Sequence, residues 1–156
     1  MVRDVTDSLK AVEALCRQRG LQLTDIRREV LEHLYAAAAK PLSAYELLDR
    51  IGQRHGRRLG PPTVHRALEF LIEQGFVSRI ESRNAFVPCA HPDHRHSCVF
   101  FVCSSCSTSV EIENHTLEKL IDTNASELGF RISRRVMELE GTCSDCRALG
   151  SGEASL

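Results

Sequence analysis

The stretch Pro61-Pro62-Thr63-Val64-His65-Arg66-Ala67-Leu68-Glu69-Phe70-Leu71-Ile72-Glu73-Gln74-Gly75-Phe76-Val77-Ser78-Arg79-Ile80 changes its hydrophobic period in mid-course. Its first part reads as a helix, opened by prolines at the one turn where a missing N–H costs nothing and stopped at Gly75. From Phe76 to Glu81 apolar and polar residues alternate, Ser82-Arg83-Asn84 forms a polar turn, and Ala85-Phe86-Val87 returns as a second strand. A helix that runs directly into a hairpin is the end of a winged helix-turn-helix, and the residues upstream supply the rest of one.

Leu9 to Arg19 places Leu9, Val12, Leu15 and Cys16 at helical spacing, with Gly20 as the stop. Leu23 to Leu31 predicts a second helix, with Thr24 able to cap it and Ile26, Val30, Leu31 and Leu34 as the buried stripe, ending before Lys40-Pro41. Ser43-Ala44-Tyr45-Glu46 has the spacing of a capping box and precedes Leu47, Leu48 and Ile51, so a short third helix follows. Gly52 to Gly60 is then a loop leading into the helix at Pro61.

The 156 residues suffice for one large domain or two small ones, and the net charge of −1 is unevenly distributed. Residues 1–84 carry 14 Lys and Arg against 11 Asp and Glu, whereas residues 85–156 carry 6 against 10. A polyanionic partner therefore belongs to the N-terminal half. No apolar run approaches the ~20 residues of a membrane span, and no secretion signal is legible, so a cytoplasmic protein without membrane contact is expected.

The second half opens with a Cys/His-rich loop, Cys89-Ala90-His91-Pro92-Asp93-His94-Arg95-His96. An apolar strand follows at Val99-Phe100-Phe101-Val102, then a turn from Cys103 to Cys106, a strand around Ser109 to Ile112, a helix from Thr116 to Leu128 stopped by Gly129, and a strand from Phe130 to Glu140. Gly141, a turn from Cys143 to Cys146 and a small polar tail complete the chain. The fold class is α+β. Residues 1–88 are expected to form the winged-helix domain, 89–98 a Cys/His-rich hinge, 99–149 a small α/β domain, and 150–156 a flexible tail.

Seven cysteines, four of them in two C-x-x-C pairs, favour metal over disulfides in a chain without a secretion signal. Cys103, Cys106, Cys143 and Cys146 form a closed set of four thiolates, with no open position and hence a structural role. A disulfide pair or a redox C-x-x-C is the bland alternative, and no βαβ redox context surrounds either pair. Upstream, Cys89, His91, His94, His96 and Cys98, with Glu111 and Glu113, make a mixed donor set that exchanges metal more readily, as a sensor requires. Cys16 is read as packing, His33 and His55 as surface or satisfied residues, and His115 as undecided.

In a helix-turn-helix the second helix enters the major groove, which places Thr63, His65, Arg66 and Glu69 near DNA. Arg66 suits guanine, Thr63 a phosphate, and Tyr45 the backbone or a thymine methyl. Arg57, Arg58, Arg79 and Arg83 are candidate phosphate contacts, with an ordinary solvated face as the alternative for each. One subunit reads too few bases for high specificity, so a homodimer on a palindrome is expected.

Thr24-Asp25-Ile26-Arg27, the run from Pro61 to Leu68 and the two C-x-x-C pairs together resemble the ferric uptake regulator (Fur) family over nearly the whole chain. Within it, Ser43 to Leu48, Pro61 to Val64 and Glu73-Gln74-Gly75-Phe76-Val77 look most like the zinc-uptake regulators of bacteria. The resemblance implies a homodimer that, with zinc at a sensory site, binds an AT-rich palindromic operator and represses zinc-uptake genes, and that has no small-molecule substrate. Two zinc ions per subunit are implied, with 99–149 as the dimerisation domain stapled by the structural zinc. Cys103, Cys106, Cys143 and Cys146 match the structural site, Cys89, His96 and Glu111 match three sensory ligands, and Tyr45 and Arg66 match residues that contact DNA. Three departures stand out. Ser78 occupies the place of a frequent sensory His, leaving His94, His91 or water as the fourth ligand, with His94 taken first. Arg135 replaces a His of a third metal site, and His65 replaces the usual Tyr of the recognition helix.

The rival readings are a sensor of iron, manganese or peroxide in the same family, a zinc-stapled interaction module that never meets DNA, and a zinc hydrolase using Cys89, His96 and Glu111. Thiolate in the exchangeable set favours zinc. The absence of H-E-x-x-H-type spacing or a neighbouring base disfavours an enzyme.

Overall fold

The computed structural model describes residues 4–56, 58–94 and 96–150. Arg57, Arg95 and the tail residues 151–156 lie outside the described residues. The chain divides into two compact units, Met1–Arg95 and His96–Leu156.

In the N-terminal unit, helices α1 (Val5–Gln18), α2 (Asp25–Ala36), α3 (Ala44–His55) and α4 (Pro61–Glu73) enclose one core, with a small sheet of β1 (Leu42–Ser43), β3 (Ala85–Pro88) and β2 (Val77–Ile80) beside them. Helix α4 buries Val64, Ala67, Leu68 and Leu71, the i, i+3, i+4, i+7 stripe that lets one face pack while the other stays wet. Val12, Leu31, Leu34, Leu47, Ile51 and Phe76 belong to the same core. Strands β2 and β3 pair antiparallel from Val77↔Pro88 to Ile80↔Ala85, with Asn84 left-handed at the turn (φ 48°). That wing follows α4 after Gly75, whose φ of 77° is the left-handed geometry a helix stop uses.

Several expectations need correction. Thr24 precedes α2 but makes no side-chain cap. Helix α3 runs on through Gly52, expected in a loop, to His55, because Gln53 donates to Asp49 (2.8 Å), Arg54 pairs with Glu32 of α2 (2.7 Å) and His55 with Glu29 (2.8 Å). These contacts with α2 accompany a helix turn in which a glycine costs ~1 kcal/mol relative to alanine. The Ser43 capping box is present as expected, Ser43 Oγ accepting from the Glu46 amide and the Glu46 carboxylate from the Ser43 amide. The same Ser43 lies in β1, which pairs Leu42↔Phe86 and Ser43↔Ala85 and was not anticipated, since two residues carry no period.

The C-terminal unit is a three-stranded sheet in the order β5-β4-β6, formed by β4 (Val99–Cys103), β5 (Ser109–Ile112) and β6 (Met137–Gly141), with helices α5 (His115–Glu127) and α6 (Ser144–Gly150). Strand β4 is antiparallel to β5 and parallel to β6. Strand β6 begins at Met137, well after the expected Phe130. In the intervening stretch Arg135 bonds Ser97 Oγ at 3.1 Å and pairs with Asp122, which draws it away from a ladder. The second C-x-x-C turn opens helix α6, whose last residue, Gly150, was expected to start the tail. Among the described residues no helix is long and apolar enough to cross a membrane.

Candidate metal centres and nucleic-acid interface

The four-cysteine centre lies wholly within the C-terminal unit. Cys103 ends β4, Cys106 sits in the turn beyond it, and Cys143 and Cys146 flank the start of α6. Two hydrogen bonds to one carbonyl hold these turns together: the Ser104 amide donates to Gly141 O at 2.8 Å and the Ser104 hydroxyl at 3.1 Å. The four sulfurs lie within 4.8 Å of one another, and Cys106 Sγ to Cys143 Sγ is 3.7 Å. Tetrahedral zinc with Zn–S of about 2.3 Å needs sulfurs about 3.8 Å apart, so the donor set fits that ion. All seven cysteines are unbridged.

Ionisation within the centre is graded. The backbone N–H groups of Cys106 and Cys143 point at Cys103 Sγ and bring its pKa down to about 6. Cys146, hydrogen-bonded with Cys143 and then Cys106, is held up at about 12, because ionising it would place another negative charge among sulfurs. A divalent cation reverses the second effect and holds all four as thiolates.

The mixed donors divide between the units. In the N-terminal unit, Cys89 follows β3, is buried, and donates its amide to Phe76 O at 2.9 Å. Beyond it, His91 and His94 are exposed, and His94 Nδ1 lies 3.1 Å from Asp93. Arg19 anchors this segment, donating to Gln74 O (2.9 Å) and Pro92 O (2.8 Å) while stacking over Phe76 at 5.3 Å. In the C-terminal unit, His96 Nε2 is 2.9 Å from Glu111 Oε1, and the Cys98 thiol donates to the same oxygen at 3.1 Å. The His96 and Glu111 side chains are 3% and 8% exposed. Cys98 belonged to the expected cluster but not to the ligands singled out from it. Glu113 is 3.1 Å from His115, an exposed residue at the start of α5 that also reaches Glu118 (3.5 Å). The Arg135 guanidinium is held by Asp122 and by Ser97 Oγ.

The exposed face of α4 carries Thr63, His65, Arg66 and Glu69, opposite its buried stripe, and Tyr45, in the first turn of α3, is 83% exposed. Pro61 and Pro62 occupy the first helical positions and the Thr63 amide donates to Gly60 O (3.0 Å), so this helix start offers side chains rather than free amides. Arg58 is exposed. In the wing, Arg79 is held by Asn84 Oδ1 (2.8 Å) and Glu81 (3.5 Å), and Arg83 is half-buried, so neither presents a bare cation. Cys16 is buried on α1, as expected. His33, expected to be exposed or satisfied, has its Nε2 buried without a hydrogen-bond partner among the described residues, and burial lowers its pKa.

Residues 18–140 match the model of the ferric uptake regulator family. The zinc uptake regulation protein of Escherichia coli is 38% identical over 148 residues, covering 94% of this chain and 85% of that protein. A solved zinc uptake regulator complexed with zinc and DNA superposes with a TM-score of 0.89 at 35% identity, covering 96% of this chain and 99% of that one. The crystal structure of holo XcZur gives 0.81 at 43% identity, over 90% and 96% of the two chains.

Proposed function

The chain belongs to the ferric uptake regulator family, and on that premise we infer that it is a zinc-responsive, DNA-binding repressor of zinc uptake that works as a dimer. The observation that carries the reading is the presence of two donor sets of unlike chemistry. One is a closed set of four sulfurs; the other is mixed, with nitrogen, oxygen and sulfur donors, and includes the buried His96–Glu111 pair. A structural ion needs only the first, and a sensor needs the second as well.

Cys103, Cys106, Cys143 and Cys146 hold the structural zinc. Cys89, His94, His96 and Glu111 are the proposed ligands of a regulatory zinc, giving two ions per subunit. Cys89 and His94 lie seven and two residues before His96 along the chain, within reach of one ion for a segment of that length. Filling of this site favours the DNA-binding state, and a few kcal/mol of preference suffices for a switch. Tyr45, Thr63, His65 and Arg66 meet the DNA. A row of half-exposed apolar side chains supports dimerisation through the C-terminal unit: Phe101 (48%) stands opposite Val110 (53%) on β5 and Leu139 (49%) on β6, all on one sheet face.

The test is fluorescence anisotropy of an AT-rich palindromic duplex, titrated with the protein against buffered free zinc, iron(II) and manganese(II). Binding should rise with zinc while metal analysis shows the four-cysteine ion already present. Cys89→Ser should remove the zinc dependence and keep that ion. Metal-independent binding, or a response to iron or manganese instead, would overturn the reading.

A further inference from the structure

We propose that Cys98, in place of His94, is a thiolate ligand of the regulatory ion, so that His96, Cys98 and Glu111 form a three-donor half-site on the C-terminal unit alone; this rests on the reading of the mixed set as an exchangeable metal centre.

Register brings the three together. Phe100 pairs with Glu111, and paired residues of a ladder share a face. Cys98 immediately precedes β4, two residues before Phe100. The outcome is a thiol 3.1 Å from Glu111 Oε1, on the same oxygen that His96 Nε2 approaches at 2.9 Å. One sulfur and one nitrogen, from positions 13 and 15 residues before Glu111, thus converge on one of its oxygens.

Burial argues for a ligand. The His96 and Glu111 side chains are more than nine-tenths buried. An ion pair removed from water gains little net stability, and apolar residues of the same volume would serve a core at least as well. A cysteine packed for its volume points into apolar surroundings, as Cys16 does; Cys98 points at a carboxylate. Around tetrahedral zinc, nitrogen and oxygen donors stand about 3.3 Å apart, and sulfur and oxygen about 3.5 Å. The trio therefore admits the ion after opening by a few tenths of an ångström.

Strand β4 keeps this half-site separate from the structural one. Cys98 precedes the strand and Cys103 ends it, and at about 3.4 Å per residue the two Cα atoms lie about 17 Å apart. Neither sulfur can serve the other ion. A second thiolate beside that of Cys89 also makes the regulatory donor set softer, favouring zinc over manganese(II) and iron(II).

The experiment uses full-length protein with the structural zinc in place and cobalt(II) as the probe, since the sulfur-to-cobalt charge-transfer band scales with the number of thiolates. Cys98→Ser should lose about half of the band, as should Cys89→Ser, and competition should show its zinc affinity lowered by more than about tenfold, because even an outer-shell partner is worth ~10–100-fold. In unmodified protein, filling the regulatory site should slow alkylation of Cys98, mapped by mass spectrometry, which does not depend on how the variant folds. A Cys98→Ser variant with the full band and wild-type affinity, or alkylation indifferent to metal, overturns the proposal. If Cys89→Ser still loses its share in that case, the regulatory-site reading survives. If neither variant changes cobalt binding, both readings fall.

Discussion

Replacing Cys143 by Ser should unfold the C-terminal unit and leave the N-terminal unit intact. Among the described residues of the C-terminal unit, only Val99, Phe100, Val102, Cys103 and Ser109 are buried, and neither α5 nor α6 buries a residue fully. Setting aside Cys103, a ligand, and Ser109, which is polar, three apolar side chains remain. At ~1.5–3 kcal/mol each they contribute about 5–9 kcal/mol. A structural zinc bound by thiolates contributes about 10–16 kcal/mol, so the ion outweighs the core around it. The N-terminal unit has the opposite balance, since all the residues of the main core cluster belong to it and none is a proposed zinc ligand. The assay is hydrogen exchange by mass spectrometry on the full chain, with zinc analysis alongside. Cys143→Ser should lose the structural ion and the amide protection of β4, β5 and β6 together, while α2, α3 and α4 exchange as in the unmodified protein. Wild-type protection of β4–β6 in a protein shown to lack that zinc would refute the reasoning.

Arg66→Ala should weaken operator binding by about 1–3 kcal/mol, the worth of a bidentate base contact, and affect non-specific DNA much less; an equal loss on both, measured by anisotropy at fixed salt, would reassign Arg66 to phosphate. Val110→Glu with Leu139→Glu places charge in the apolar row around Phe101 and should turn a dimer into a monomer in sedimentation without loss of structural zinc; an unchanged dimer would place the interface elsewhere. Glu46→Gln tests the capping box. Hydrogen bonds from the Ser43 amide and then its hydroxyl hold the Glu46 pKa below the ordinary carboxylate value. Its stabilising contribution is therefore complete above about pH 4.3, shrinks as the pH falls below that, and vanishes below the lowered folded-state value. Wild type should melt higher than the variant at neutral pH, with the gap closing towards pH 3; a constant gap would mean that the carboxylate charge plays no part. Ser43→Ala should cost about 1 kcal/mol in denaturant unfolding, as loss of a helix cap does.

Much of this molecule can be read along the chain because its signals are local. The capping box at Ser43 and Glu46, the prolines opening α4, the switch of period at Gly75 and the two C-x-x-C pairs each span only a few residues, and their physics is complete within that span. The same locality explains what the residues alone left open. β1 has only two residues and exists because Phe86 and Ala85 offer it a partner. The last turn of α3 is held by Glu32 and Glu29 of another helix, and β6 is shortened because Arg135 pairs with Asp122. The mixed metal set shows the boundary most clearly: residue types and spacing pointed to a Cys/His cluster with Glu111, but five candidates stood between Cys89 and Cys98. That His96 and Cys98 share one Glu111 oxygen follows from the pairing of Phe100 with Glu111 across two strands. Register is a property of the sheet, decided when distant segments find one another, and no window along a single strand contains it.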